Sequence, residues 1–136
     1  MKHRGPGLDT SVVLRLLTGE PEHQAEQAAR FFQTQVAKGS PPCVSDQVIS
    51  EVYFALCYHY DVPKSEALRV LAAFVNGGEV ICLGVSGEIL RQPNLGRAKP
   101  GFLDRVIHAQ YLEAGAPSLA TFEKASARLS GVVVLG

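Results

Sequence analysis

The amino-acid sequence predicts an α/β fold with a mainly parallel central sheet flanked by helices. Three observations carry that prediction. Helical apolar periodicity alternates with short apolar runs along the chain, Pro, Gly and capping residues mark where helices start and stop, and acidic residues fall where apolar runs give way to helices. At 136 residues the chain suits a single domain spanning 1–136, with residues 1–7 irregular. A domain of that size removes roughly two thirds of its unfolded surface from water, so one hydrophobic core can be sustained.

Taken in order, "SVVLRLL" (11–17) has helical spacing, and Gly19 followed by Pro21 supplies a stop and the first turn of a second helix, "PEHQAEQAARFFQTQVAKG". Gly39 and "SPP" end that helix. "PCVS" (42–45) is short and apolar enough for a buried strand, after which Ser45 or Asp46 caps "DQVISEVYFALCYHY". Pro63 opens a helix to about Val75, "NGG" (76–78) is a turn, and "EVICLGV" reads as a strand. The segment 86–101 is mixed and rich in Gly and Pro. A further amphipathic helix runs from Phe102 to Ala114, "APSLAT" is a strand candidate, "FEKASARL" a short helix and "GVVVL" a last strand.

The formal net charge is zero, so any polyanion must be met by a local patch rather than by the field of the whole molecule. Hydrophobic residues make up 46% and charged residues 19%, the range of ordinary folded domains. Cys43, Cys57 and Cys82 are widely spaced among apolar neighbours without metal-ligand spacing, and read as buried thiols in a reducing compartment. No run approaches the roughly 18 apolar residues of a membrane helix. The basic start "MKHRGPG" is a poor signal peptide, because Asp9 and Arg15 interrupt the apolar residues after it. The expectation is a cytoplasmic protein.

In a parallel sheet the carboxyl ends of the strands share one edge, which collects residues distant in sequence. Asp9, Asp46 and Glu123 occupy strand-to-helix junctions, and Asp104 lies in the first turn of its helix, beside an apolar stripe that includes Ile107 and Tyr111. Glu51 sits inside a helix. With Val48, Val52, Ala55 and Leu56 as the apolar stripe, Glu51 falls on the same side and is expected to point inward, where an unpaired carboxylate costs several kcal/mol or takes a partner. Four acids, Asp9, Glu51, Asp104 and Glu123, can therefore face one crevice. Hard oxygen ligands without His or Cys suit Mg²⁺ or Mn²⁺.

The segments "LDTSVVLRLLTG", "VSDQVISEVYFAL", "GFLDRVIHAQYLEAGA" and "LATFEKASARL" occur in the order and spacing of PIN-domain ribonucleases, and look most like the VapC-type toxins of toxin-antitoxin pairs. The resemblance spans Leu8 to Leu135 and implies a three-layer PIN-like fold and Mg²⁺-dependent endoribonuclease activity, with RNA as substrate. Carried over, Asp9, Glu51 and Asp104 are metal ligands or position a water at the metal. The fourth family acid, usually Asp in a "TFD" motif, falls on Glu123, one methylene longer. Thr10, Ser11 and Thr121 are expected to orient the carboxylates or the phosphate. The family also implies a homodimer held inactive by a protein antitoxin. One further departure is the terminus, where "KHRGPG" stands in place of a full apolar strand before Asp9.

Plainer readings stand beside these. Asp9, Asp104 and Glu123 can each serve as a helix cap or first-turn acid, stabilising by about 0.5 to 1 kcal/mol. Asp46 is better read as a cap or an outer acid. Arg91, Arg97, Lys99 and Arg105 form the only basic cluster, a weak RNA-binding candidate that equally suits a solvated loop. His59 and His108 lack partners at ligand spacing and read as packing or surface residues. Tyr53, Phe54, Tyr58 and Tyr60 spread over several helix faces and suit core or subunit interface. Two alternatives to the ribonuclease remain, a PIN-like binding module weak or silent in catalysis, and a metal-dependent phosphatase. The latter ranks lower because Thr10 and Ser11, rather than a second Asp, follow Asp9.

Overall fold

The computed structural model describes residues 4–136. Six helices and four short strands follow in the order α1 (Thr10–Thr18), α2 (Glu22–Ala37), β1 (Cys43–Val44), α3 (Asp46–Tyr58), α4 (Lys64–Asn76), β2 (Ile81–Cys82), α5 (Ser86–Leu90), α6 (Phe102–Glu113), β3 (Leu119–Thr121) and β4 (Val132–Val134). Two 3₁₀ turns, Leu95–Arg97 and Lys124–Arg128, complete them. The second of these takes the place of the helix expected over "FEKASARL", and a short α5 with a 3₁₀ turn occupies the mixed segment after Ser86.

The expected single central sheet is not formed. β1 pairs with β2 in parallel, Cys43 opposite Ile81 and Val44 opposite Cys82. β3 pairs with β4 in parallel, Leu119 opposite Val132 and Thr121 opposite Val134. Among the described residues ahead of Asp9, only Gly7 bridges to Cys43. The terminal sequence limits the pairing of this stub with β1. Cys43 donates to the Pro6 carbonyl (3.0 Å) and Leu8 donates to the Cys43 carbonyl (2.9 Å), which is regular parallel pairing. Pro6 has no N–H to extend it, and the Pro41 carbonyl is met instead by the Gly5 N–H (2.8 Å). A Cβ on Gly5 would overlap the Ser40 carbonyl oxygen, so this approach needs glycine.

The core gathers Leu8, Val13, Val44, Ile49, Val52, Leu56, Leu71 and Phe102 from the first strand stub, β1, α1, α3, α4 and α6. Phe102 meets Tyr53 edge to face at 5.2 Å, which fixes the start of α6 against α3. The second sheet is tied to α6 where His108 Nε2 pairs with the Ser130 carbonyl at 2.6 Å, giving this histidine its packing role. Its own strands are largely exposed, in contrast to the buried β1.

On α3 the buried apolar residues are Ile49, Val52, Tyr53, Ala55 and Leu56, a stripe rotated from the one built on Val48. Glu51 therefore does not point inward; it is exposed. The two stripes share Val52, Ala55 and Leu56, and the burial of Ile49 and Tyr53 decides between them. Tyr53 is a core residue, whereas Phe54, Tyr58 and Tyr60 are exposed. Of the three thiols, all free, Cys43 is buried while Cys57 and Cys82 are only partly so.

Candidate functional site

Asp9 follows the first strand stub and caps α1. Its Oδ1 accepts from the Ser11 hydroxyl (2.7 Å) and from the Val12 N–H (3.2 Å). These two bonds, with the Ser11 hydroxyl the stronger influence, hold the Asp9 carboxyl below its ordinary value of 3.8. Oδ2 carries no hydrogen bond among the described residues and is open to water. Asp9 is thus both the cap that the plain reading expects and an ionised, available ligand.

Thr10, the first residue of α1, links that cap to α3. Its hydroxyl donates to Glu51 Oε1 at 2.6 Å, and Gln47, one turn earlier on α3, donates its amide to Glu51 Oε2 at 3.3 Å. Glu51 is thus tied across the α1 to α3 contact to the residue that follows Asp9. Sequence reasoning misses Gln47, whose only signal is its spacing of four residues from Glu51.

Further along α3, Phe54 and Tyr58 continue the face that begins at Gln47 and Glu51. They line a recess of about 240 Å³ with Tyr53, Lys64 and Asp104. Asp104 is exposed there, and its carboxylate makes no hydrogen bond or ion pair among the described residues. Lys64 sits at the mouth of the same recess, its Nζ 3.3 Å from where a Cβ on Gly101 would be. Only the fold, which brings the start of α4 and the start of α6 to one recess, reveals that this lysine and Asp104 line it together. Glu123 is exposed at the end of β3, where its N–H donates to the Thr121 hydroxyl (3.0 Å). Among the described residues no group of three or more His, Cys, Asp or Glu side chains is placed to hold a metal ion. The structure thus bonds Glu51 to Thr10, next to Asp9 in the chain, and gathers no three of the four acids into one cluster among the described residues.

Asp46 proves to be a structural acid. Ser45 is the cap of α3, while the Asp46 carboxylate is buried and accepts four hydrogen bonds. Oδ2 takes the Val85 N–H (3.0 Å) and the Gln110 amide (3.1 Å), and Oδ1 takes the Ser86 N–H (2.9 Å) and hydroxyl (2.6 Å). It binds the start of α3 to the loop after β2 and to α6. A Cβ on Gly84 would overlap the Asp46 carboxylate, so the loop closes only over glycine. With no vacant lone pair directed at solvent, Asp46 has little to offer a metal.

In the basic cluster Arg105 braces its own loop, donating from Nε to the Pro100 carbonyl (2.7 Å) and from Nη1 to Gln92 (3.2 Å). Arg91 leans on Asn76 at 3.5 Å, and Arg97 and Lys99 remain exposed.

The donor chemistry of Asp9 and Glu51 fits a hard divalent cation. Mg²⁺ is commonly held by one or two carboxylates, keeping several waters and taking its other ligands from a phosphate. Both carboxylates face water, and Asp9 has an oxygen to give.

The PIN domain family model matches residues 8–132. No curated protein and no solved structure matches the chain. PIN domains are generally nucleases, hydrolases of phosphodiester bonds, and typically use divalent metals. The match runs from the strand stub before Asp9 to the first residue of β4 and takes in all four acids, and the chain belongs to the PIN-domain family.

Proposed function

We propose that the protein is a metal-dependent endoribonuclease and the toxin component of a toxin-antitoxin pair. The observation that supports the reading is the bond from Thr10 to Glu51, which ties an exposed carboxylate to the residue after exposed Asp9 at the end of the first strand stub of a PIN domain. Asp9 and Glu51 would hold Mg²⁺ or Mn²⁺, which offsets the charge on phosphate and leaving oxygen and makes water a better nucleophile. Asp104 and Glu123 join the site from α6 and β3 in this proposal, when the RNA phosphate is bound.

The chain's own residues supply orientation. Ser11 and the Val12 N–H keep Asp9 ionised and aimed, so that Oδ2 is the free oxygen. Thr10 and Gln47 pin both oxygens of Glu51, which limits the rotamers that its long side chain loses on binding. Thr10→Val keeps the shape of the residue and removes the hydroxyl. It is expected to lower RNA cleavage by roughly 10- to 100-fold, the usual effect of removing a partner that orients a ligand. Steady-state cleavage of a labelled RNA checks this, and a rate equal to wild type removes Thr10 from the site.

Glu123→Asp shortens the side chain to the length usual in the family. Cleavage at limiting Mg²⁺ is expected to rise several-fold, and an unchanged metal requirement would leave Glu123 outside the site.

The partners in this proposal are RNA, a second copy of the chain and a protein antitoxin. Exposed apolar side chains on α6 and beside the second sheet, Ile107, Tyr111, Leu112 and Phe122, support protein contacts there. Three free thiols suit a reducing, cytoplasmic setting. Among the described residues no helix is long and apolar enough to cross a membrane.

The deciding experiment incubates purified protein with a panel of structured RNAs in Mg²⁺, in Mn²⁺ and with chelator. Metal-dependent internal cleavage is expected. Absence of cleavage in every metal, unrestored by Glu123→Asp, replaces the nuclease with the binding-module reading.

A further inference from the structure

A groove between α1 and α2 opens next to Asp9. Its volume is about 500 Å³, and Ser11, Arg15, Gln24, Gln27 and Phe31 line it. Ser11 belongs to both places, since the hydroxyl at the groove is the one that donates to Asp9 Oδ1. On α2, Gln24, Gln27 and Phe31 recur at i, i+3 and i+7, so one helix face presents two amides and then a ring. On α1, Ser11 and Arg15 stand one turn apart on the opposite wall.

Val12 and Ala28 complete the lining, and the polar side chains around them set the groove apart from a packing face. Phe31 is 44% exposed, whereas the adjacent Phe32 packs against Phe74 with ring centroids 6.2 Å apart. The Phe31 ring therefore offers a face to solvent. Arg15 donates from Nε to Gln24 Oε1 at 2.7 Å, which orients the guanidinium. Its terminal nitrogens carry no hydrogen bond among the described residues and are free for an anion. The same bond occupies the Gln24 carbonyl oxygen, so the group that Gln24 offers the groove is its NH₂. No carboxylate lines the groove, although Asp9 stands at its end. A planar cation, amide donors and an open aromatic face match a phosphate followed by an unstacked base.

We infer that the α1/α2 groove is a subsite for single-stranded RNA adjoining the scissile phosphodiester, with a phosphate on Arg15, the neighbouring base stacked on Phe31, and its edge met by Gln24 and Gln27. The subsite rests on the ribonuclease reading and gives it a substrate class. Duplex RNA is disfavoured, because its bases are already stacked and cannot present a face to Phe31. The groove also answers the zero net charge of the chain. Affinity here comes from one oriented cation and one stacking surface rather than from a basic field.

The test titrates the full chain against a fluorescein-labelled single strand of about ten nucleotides, within the usual span of single-strand sites, in chelator so that nothing is cleaved. Anisotropy reads binding. Phe31→Ala and Arg15→Gln are each expected to weaken Kd about tenfold, and Phe31→Tyr to keep wild-type affinity, because stacking needs the ring. Arg15→Gln alone is expected to lower the slope of log K against log salt by about one, the mark of a lost phosphate contact. A base-paired hairpin is expected to be insensitive to Phe31→Ala. Wild-type affinity in both Phe31→Ala and Arg15→Gln overturns the subsite, as does a wild-type protein that does not bind the single strand. The two readings separate cleanly. Binding through Phe31 and Arg15 without cleavage in any metal sinks the nuclease and keeps the groove, while cleavage with unaltered binding in both variants does the reverse.

Discussion

Asp9→Asn is expected to abolish RNA cleavage while leaving the fold in place. Activity is lost for an electrostatic reason. A carboxylate that holds a divalent cation contributes several kcal/mol to offsetting charge on the phosphate, and about 1.4 kcal/mol is a factor of ten in rate, so the loss is roughly a hundredfold or more. The fold survives for a local one. Asp9 is exposed and serves as the cap of α1, with its side chain accepting the Val12 N–H. Asn caps nearly as well as Asp, so only the charge at the helix terminus is lost, worth about 0.5 kcal/mol. Glu51→Gln is the companion variant, since a glutamine carbonyl can still accept the Thr10 hydroxyl. Cleavage rates with thermal melts check both, and undiminished cleavage in both variants removes the acidic site.

Asp46→Asn is expected to fail in the opposite way, as a loss of stability. The two Asp46 oxygens receive four donors, from Val85, Gln110 and twice from Ser86. Asparagine replaces one oxygen by an NH₂, which then faces N–H groups with nothing to give them. Losing two charge-assisted bonds and leaving buried donors unmet costs roughly 2 to 4 kcal/mol. Urea unfolding measures it, and a midpoint unchanged from wild type would show that the loop after β2 is held by other contacts. Gly84→Ala places a methyl against the same carboxylate and should destabilise as well. The double variant should lose less than the sum of the singles, because both act on one contact.

The same carboxylate sets a pH dependence. Burial is the largest influence on Asp46 and raises its pKa, but Ser86, Val85 and Gln110 together outweigh it and bring the group below 3.8. A carboxyl lowered in the folded state stabilises fully above its unfolded value, near 4, and loses that contribution as the pH falls through the lower folded value. The advantage of wild type over Asp46→Asn should therefore be constant near neutrality and shrink below about pH 4.

Much of this organisation is legible in the residues. Gly19, Pro21, Ser45 and Pro63 mark helix ends that the structure respects within a residue or two, because caps and breakers act through local backbone geometry. Asp9 and Glu51 are legible as a pair through the motifs around them. Burial is the wrong route to Glu51, since periodicity over a helix with apolar residues on several faces leaves its phase open. Asp46 shows the reverse. By position it is a cap, yet its actual partners lie at residues 85, 86 and 110, joined to it only by folding.

The sequence by itself determined the longer helices, the positions of the short strands between them and the family, since these depend on neighbours along the chain. The tertiary structure decided how the strands pair, what holds Glu51 and which acid is structural. Those outcomes depend on contacts between segments far apart in sequence, such as Thr10 with Glu51 and Asp46 with Ser86 and Gln110.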